Sequence, residues 1–228
     1  MGNCTQCIVK RLNALRNLSH EELELFSEHK TSLLIKKGEN LMTEGSAING
    51  LYCINQGKCK LTKLNTNGKE QIIKFIKGGD ILGHRSILSD EPVGLNVTAL
   101  EDMRVCFIPK GDILEVLKES SLFSLSNMKN ISHQLNEANN LISEMAQKPV
   151  KDRLATIIMN LNDIFGKDSE GFIDIVLTRE EIANTIGTAT ESAIRLLSNL
   201  KKDKIIDLKG KKIKILDLNA LKNISEGY

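Results

Sequence analysis

Glu191 and Arg195 stand four residues apart within Leu177–Lys202, LTREEIANTIGTATESAIRLLSNLKK. On a helix that spacing puts both side chains on one face. An arginine offers two donors to guanine O6 and N7, and a glutamate one turn earlier accepts from cytosine N4, so the pair has the chemistry to read base edges in a DNA major groove. Ser198 and Lys202 continue the polar face, Thr190 opens the same helix, and Ile194, off the apolar stripe, lies beside them, where it could touch a thymine methyl. A second reading of these residues needs no DNA. Thr188 and Glu191 then form a capping box, with Arg195 as the i, i+4 partner of Glu191 on a solvated helix.

What must position this face is a second, shorter helix. Thr178 with Glu181 three residues on is a capping-box start, and Ile182, Ala183 and Ile186 share one side. Gly187 supplies a tight turn, after which Ala193, Leu196, Leu197 and Leu200 recur at i, i+3, i+4 and i+7. The pattern is a helix-turn-helix. Downstream, Ile205–Leu208 and Ile213–Leu216 alternate around Lys209-Gly210-Lys211-Lys212, which reads as a β-hairpin wing with a basic tip carrying Lys211 and Lys212. From Ser192 to Leu216 there are eight Lys or Arg against two Asp, a local excess of six positive charges, whereas the whole chain carries +2. Charge concentrated beside a candidate reading helix suits phosphate contacts and implies double-stranded DNA as a partner.

The rest of the chain has ordinary globular composition: 228 residues, 41% hydrophobic and 26% charged. No apolar run approaches the roughly 18 residues that span a bilayer, and Met1–Lys10 lacks the order of a secretion signal, so a cytoplasmic protein with no membrane partner is expected. Five cysteines, Cys4, Cys7, Cys53, Cys59 and Cys106, are an odd number in a reducing compartment, hence unpaired thiols or metal ligands. Residues 8–29 carry a helical pattern (Leu12, Leu15, Leu18, then Leu23 and Phe26 after a Ser19–Glu22 capping box). From Thr31 to Pro109 the period shortens. Runs such as Ser32–Lys36, Leu51–Asn55, Lys58–Leu64, Gln71–Ile76, Asn96–Leu100 and Arg104–Ile108 are separated by turns at Gly38, Gly45, Gly57, Asn67-Gly68 and Gly78-Gly79. About eight short strands at this spacing favour an antiparallel double-sheet roll.

Asp112–Gln147 holds no Gly or Pro and predicts one long helix through most of its length. Within it Met128, Ile131, Leu135, Ala138, Ile142 and Met145 follow a 3-4 rhythm, the seam of a short parallel coiled coil and so a homodimer; the alternative is a single helix packed on its own roll. Pro149 starts the next helix, with Val150, Leu154, Ile157, Leu161 and Phe165 on one side and a stop at Gly166, and Glu170–Leu177 predicts a short strand. The expected architecture is α+β: an N-terminal β-roll over 1–110, a long dimerisation helix over 111–147 and a winged helix-turn-helix over 148–228.

In this order the three parts resemble the Crp/Fnr superfamily of bacterial transcription regulators over essentially the whole chain. Leu177-Thr178-Arg179-Glu180-Glu181-Ile182-Ala183 and Glu191-Ser192-Ala193-Ile194-Arg195-Leu196-Leu197 resemble the family's helix-turn-helix. The resemblance implies a roll like that of cyclic-nucleotide-binding domains, a dimer on a two-fold symmetric site, and contact with RNA polymerase. Members that bind cyclic AMP carry Gly-Glu followed about ten residues later by Arg-Ser. The corresponding positions here are Gly83-His84 and Gly94-Leu95, with Arg85 the one cation adjacent in sequence, so cyclic AMP is not the expected effector. The Fnr branch instead holds an iron–sulfur cluster, and Cys4-Thr5-Gln6-Cys7 and Val105-Cys106-Phe107-Ile108-Pro109 resemble parts of that pattern. Cys4, Cys7 and Cys106 are therefore the expected ligands. Asn13 occupies the place of a further cysteine, which leaves the fourth ligand to Cys53, Cys59, a carboxylate or a small molecule; zinc, or an inert N-terminal tail, are the rival readings. His20, His29, His84 and His133 are scattered, so a cupin-like metal enzyme lacks its histidine cluster, and a ligand-sensing adaptor without DNA contact is the remaining alternative.

Overall fold

A computed structural model of the chain describes residues 4, 7, 9, 12–66 and 68–227. Thr5 and Gln6 of the cysteine motif, residues 8, 10 and 11 of the first helical pattern, and Asn67 of the Asn67-Gly68 turn lie outside the described residues. Contacts divide the chain into two compact units, Met1–Lys63 with Ile73–Asn136, and Leu64–Ile72 with Glu137–Tyr228.

A short 3-10 turn, Ala14–Asn17, precedes helix α1 (His20–His29), whose capping box forms as the sequence predicts: Ser19 Oγ accepts from the Glu22 amide and the Glu22 carboxylate accepts from the Ser19 amide. Leu23 and Phe26 are buried beneath it, while Leu12, counted with the apolar stripe, is 61% exposed. Eight strands follow: β1 (Thr31–Ile35), β2 (Asn40–Met42), β3 (Gly50–Gln56), β4 (Lys58–Leu64), β5 (Glu70–Lys77), β6 (Ile81–Leu82), β7 (Asn96–Ala99) and β8 (Met103–Pro109). They make two antiparallel sheets, β1-β8-β3-β6 and β2-β7-β4-β5, the expected double-sheet roll. The core between and around them is aliphatic, centred on residues such as Leu51, Ile54, Val105 and Ile108.

Two glycines fix one close approach in this roll. A Cβ on Gly50 would stand 2.2 Å from the Ile108 carbonyl oxygen, and a Cβ on Gly83, which has φ +96°, would stand 2.9 Å from the Gly50 oxygen. Both clashes are with backbone. Only glycine lets β3 lie so near the start of the short helix α2 (His84–Ser89), and that contact sets His84 inside the roll, 6% exposed.

The predicted long helix is interrupted. Helices α3 (Lys110–Glu119) and α4 (Ser121–Gln147) are separated by Ser120, whose backbone is extended at φ −99° and ψ 96°. The second unit contains α5 (Val150–Phe165), α6 (Arg179–Ile186), α7 (Thr190–Lys202), the hairpin β9 (Ile206–Lys209) and β10 (Lys212–Ile215), and a last helix α8 (Leu218–Ser225). The buried face of α5 is Leu154, Ala155, Ile158 and Leu161; Ile157 is turned partly outward. Glu170–Leu177 is not a strand. It contributes one β-bridge, Lys167 with Ile173, and an Ile173 amide bond to the Ile213 oxygen at 2.8 Å. Helix α8, which the apolar spacing of Leu218, Leu221 and Ile224 fits, starts on an Asp217 cap and packs against α5.

His84 gives the roll a measurable pH dependence. Its Nε2 meets the Gln134 amide nitrogen on α4 at 3.2 Å, and its buried Nδ1 has no hydrogen-bond partner among the described residues. Burial is the main cause that lowers its pKa from 6.5 to about 4, with Arg85 and Lys74 adding to the effect and Gln134 opposing it. Between those values the unfolded chain binds a proton that the folded chain refuses. The stabilisation is therefore complete above about pH 6.5 and is lost as pH falls towards 4, on the order of 3 kcal/mol in all. Thermal melts between pH 7 and pH 4 should show His84→Gln with a flatter acid limb than the parent chain.

Candidate nucleic-acid interface

The helix pair is set by local rules. Thr178 caps α6 through its Oγ1, which accepts from the Glu181 amide at 3.0 Å, while the Glu181 carboxylate accepts from the Thr178 amide at 2.8 Å. A capping box of this kind contributes about 1 kcal/mol to the helix start. Gly187 ends α6 at φ +64°, left-handed as the turn requires. Ile182, Ala183 and Ile186 on α6, and Ala193, Leu197 and Leu200 on α7, are all 2% exposed or less, and the two helices pack together. Leu196 lies partly outside that face.

The opposite face of α7 is open. Glu191, Ile194, Arg195, Ser198 and Lys202 are exposed, and Thr190 is half-buried at the first helical position. The competing reading requires a Thr188–Glu191 capping box, and it does not form: the cap residue is Ala189, with no side-chain cap bond. Glu191 and Arg195 make no ion pair or side-chain hydrogen bond among the described residues. Ser198 alone turns inward, donating to the Ile194 oxygen at 2.9 Å.

The wing is a tighter hairpin than the sequence predicts. Lys209 and Lys212 pair across the ladder, which leaves Gly210 and Lys211 as the two-residue tip, and Gly210 has φ +60° at the first central position. Lys211 is exposed at the tip. Lys212, expected as a phosphate contact, is held by Asp168 at 2.6 Å; Lys209 pairs with Glu170 at 2.8 Å, and Lys214 donates to the Glu170 oxygen at 3.0 Å. The three ammonium groups surround the buried Phe172 ring at 5.6–6.0 Å from its centre. Lys201 is likewise tied to Asp207 at 2.9 Å. Half of the eight basic residues counted in the sequence are thus engaged within the domain. The pairing shows in the charges: the Lys212 hydrogen bond holds the Asp168 carboxyl below its ordinary range, and the Lys209 hydrogen bond does the same for Glu170.

Two arginines outside the sequence expectation position the interface. Arg179 at the start of α6 donates from Nη2 to the Gly210 oxygen at 2.8 Å, which ties the helix-turn-helix to the wing tip. Arg153 on α5 donates to the Ile186 oxygen at 2.8 Å, the Lys148 oxygen at 2.7 Å and the Met145 oxygen at 3.3 Å. Those carbonyls belong to the ends of α6 and α4, where helices leave acceptors without internal partners. Arg179 stands inside a motif already singled out. For Arg153 no local signal exists, because its partners come from two separate segments, the end of α4 and the end of α6.

Within the first unit the cysteines fall into two sets. Cys4, Cys7, Cys53 and Cys106 neighbour one another at the sheet β1-β8-β3-β6, whereas Cys59 is enclosed in the other sheet. The Cys7 thiol donates to Asn55 Oδ1 at 3.1 Å, Asn55 Nδ2 reaches Cys106 Sγ at 3.5 Å, and Lys30 Nζ donates to Cys4 Sγ at 3.3 Å. Asn13 is occupied elsewhere: its amide donates to the Val9 and Gly79 oxygens and its Oδ1 accepts from the Leu15 amide, capping the 3-10 turn. Among the described residues no three His, Cys, Asp or Glu side chains converge closely enough to share one metal ion. A mononuclear zinc ion needs such convergence, with every thiolate about 2.3 Å from one point. A polynuclear iron–sulfur group takes its thiolates on separate irons, so its thiolates need not share one point.

Comparison with known proteins agrees with this architecture. Residues 33–120 match the model of the cyclic nucleotide-binding domain, and residues 152–224 that of the Crp-like helix-turn-helix domain. The chain is 30% identical over 221 residues to the Electron transport regulator A of Shewanella oneidensis, covering 95% of this chain and 85% of that one. It is 28% identical over 220 residues to the Fumarate and nitrate reduction regulatory protein of Vibrio cholerae, covering 94% and 87%. A crystal structure of a Crp/Fnr-family regulator from Eubacterium rectale, 20% identical, superposes with a TM-score of 0.76 over 93% of this chain and 97% of that one. A capped helix-turn-helix with an open polar face, a basic wing and a nucleotide-binding-type roll, matched along nearly the whole length of a 30% identical regulator, place this chain in the Crp/Fnr family of DNA-binding transcription regulators.

Proposed function

We propose that the chain acts in the cytoplasm as a homodimer on a two-fold symmetric DNA site and, as the family resemblance implies, contacts RNA polymerase from there. The observation that carries the reading is the face of α7, where Glu191 and Arg195 are exposed and have no competing partner beside a basic hairpin. Arg195 and Glu191 discriminate base pairs, with Thr190 and Ser198 along the same face and Ile194, 44% exposed, against a thymine methyl. Lys202 and Lys211 contact phosphates. Lys212 reaches phosphate by leaving its half-buried Asp168 partner, one charge-assisted contact replacing another.

The second copy is supported by an uncovered seam. Met128, Leu135 and Ile142 are 58%, 61% and 67% exposed, Ala138 is exposed, and Ile131 and Met145 are half-buried on the same helix. Large apolar side chains repeating at this rhythm lose their contact with water when a parallel copy lies along them.

At the roll, cyclic AMP lacks its clamp. Gly94 and Leu95 bring neither cation nor hydroxyl, and burial keeps His84 neutral near pH 7. Relatives named for electron transport and for fumarate and nitrate reduction support a redox-linked signal instead. Cys4, Cys7 and Cys106 would hold an iron–sulfur cluster, which supplies a redox-active centre when bound. What the chain itself contributes is thiol donors, the Lys30 ammonium beside one of them, and the Asn55 amide between two others. No described helix is long and apolar enough to cross a membrane.

Three outcomes are expected. Arg195→Ala should lose roughly 1–3 kcal/mol of discrimination at one base-pair position per half-site in a binding-site selection, whereas Lys211→Ala should weaken all sequences alike; an unchanged preference in Arg195→Ala would remove it from base reading. Leu135→Glu sets two carboxylates against each other across the seam, so sedimentation should give monomers, with weak binding to half-sites spaced about 34 Å apart. Protein purified without oxygen should be brown, and calorimetry should give no heat with micromolar cyclic AMP; colourless protein, or a cyclic AMP isotherm, would overturn the assignment of the signal.

A further inference from the structure

The inference concerns the thiol that completes the cysteine site, and it rests on the iron–sulfur reading given above. We propose that Cys53 is the fourth ligand, so that the set is Cys4, Cys7, Cys53 and Cys106.

Strand register brings Cys53 to the place. On the β1-β8-β3-β6 sheet, Ser32 of β1 stands opposite Cys106 of β8, and Cys106 stands opposite Cys53 of β3. Directly opposed residues project from the same face of a sheet, with Cβ atoms about 5 Å apart, so Cys53 and Cys106 form a cross-strand pair of thiols. Tyr52 and Phe107, one residue along on each strand, point the other way and stack with ring centres 5.2 Å apart.

Cys4 and Cys7 come to this same pair. Asn55, two residues along β3 from Cys53, accepts from the Cys7 thiol and reaches Cys106 Sγ with its amide. The Cys4 amide donates to Ser27 Oγ at 3.0 Å, which fixes that end of the segment on α1. Cys4 and Cys7 pack against the core that includes Cys53 and Cys106.

Two other positions near the motif are committed elsewhere. Asn13, where a further N-terminal cysteine is expected by resemblance, spends its amide on capping and on the Val9 and Gly79 oxygens. Cys59 lies on β4 in the other sheet, opposite Ala99, fully enclosed, with burial pushing its thiol up to about 12. Its surroundings are those of a small apolar side chain. Lys30, donating to Cys4, sets one positive charge beside a site whose four thiolates are negative once metal is bound.

The test is anaerobic reconstitution of the full chain with iron and sulfide, followed by iron and sulfide counts and visible spectra, on the parent chain, Cys7→Ser, Cys53→Ala and Cys59→Ala. Cys53→Ala should retain roughly a tenth of the parent's iron or less, while Cys59→Ala stays like the parent. Thermal melts of the metal-free variants check that Cys53→Ala is folded. Should it not fold, X-ray absorption at the iron edge of the parent protein decides, since four thiolates give a shell of sulfur alone and an oxygen or nitrogen neighbour overturns the assignment. Parent-like iron in Cys53→Ala with Cys7→Ser bleached would overturn Cys53 and leave the cluster standing. A parent chain that takes up no iron would overturn the cluster itself, and this inference with it.

Discussion

The close packing of α6 on α7 is the constraint from which the DNA-reading surface follows. Ala183 and Ala193 have no solvent exposure at all, and a larger side chain at either position would force two short helices apart. Because that contact consumes one face of α7, the residues left outside are determined by helical geometry alone. Arg195 lies two residues beyond Ala193 and two before Leu197, so it has to face away whenever they face in. The wing depends on the same contact at one remove, since Arg179, in the first turn of α6, holds the Gly210 carbonyl.

Positive charge in this region is arranged more finely than its amount implies. Lys209, Lys212 and Lys214 are gathered over Phe172 and balanced by Asp168 and Glu170, whereas Lys211 at the tip and Lys202 at the end of α7 are exposed. The exposed Lys209–Glu170 pair adds little stability, but together with the half-buried Lys212–Asp168 pair it holds long side chains on one side of the hairpin. In the proposed DNA contact, Lys211 would meet a phosphate first, and the paired lysines would have to trade a carboxylate for a phosphate, an exchange that weakens as salt rises.

Much of this was legible in residue order because it is local. Capping boxes at Ser19 and Thr178, glycine turns, the alternation of β9 and β10 and the 3-4 rhythm of α4 all depend on residues within about a turn of one another. The elements that sequence reading missed are held by distant partners or by competition. Ser120 interrupts a run free of glycine and proline; beside it Ser124 Oγ donates to the Leu117 oxygen at 2.5 Å, a side-chain bond that offers the backbone an alternative to continuous helix. The loop at 170–177 reads as a strand by composition, yet the Glu170, Gly171 and Phe172 amides all turn back to Asp168. Composition likewise gives the number of wing lysines and says nothing of the acids, some forty residues earlier in the chain, that pair with them.

Signal and reading have to be joined by something that exists in two arrangements, because a bound group shifts an equilibrium only by as much as it favours one state over the other. Helix α4 is the natural carrier. Its 27 residues span about 40 Å, and they contribute to both compact units, Ser121–Asn136 to one and 137–147 to the other. At its far end Arg153 binds the Met145 and Lys148 carbonyls and, with the same guanidinium, the Ile186 carbonyl that closes α6. A planar group with fixed donor directions cannot keep all three bonds if the end of α4 rotates against α6. Either α6 follows, carrying α7 with it through the Ala183 contact, or a bond breaks and leaves a helix-end carbonyl without its donor. Both alternatives tie the end of α4 to α6 within the second unit.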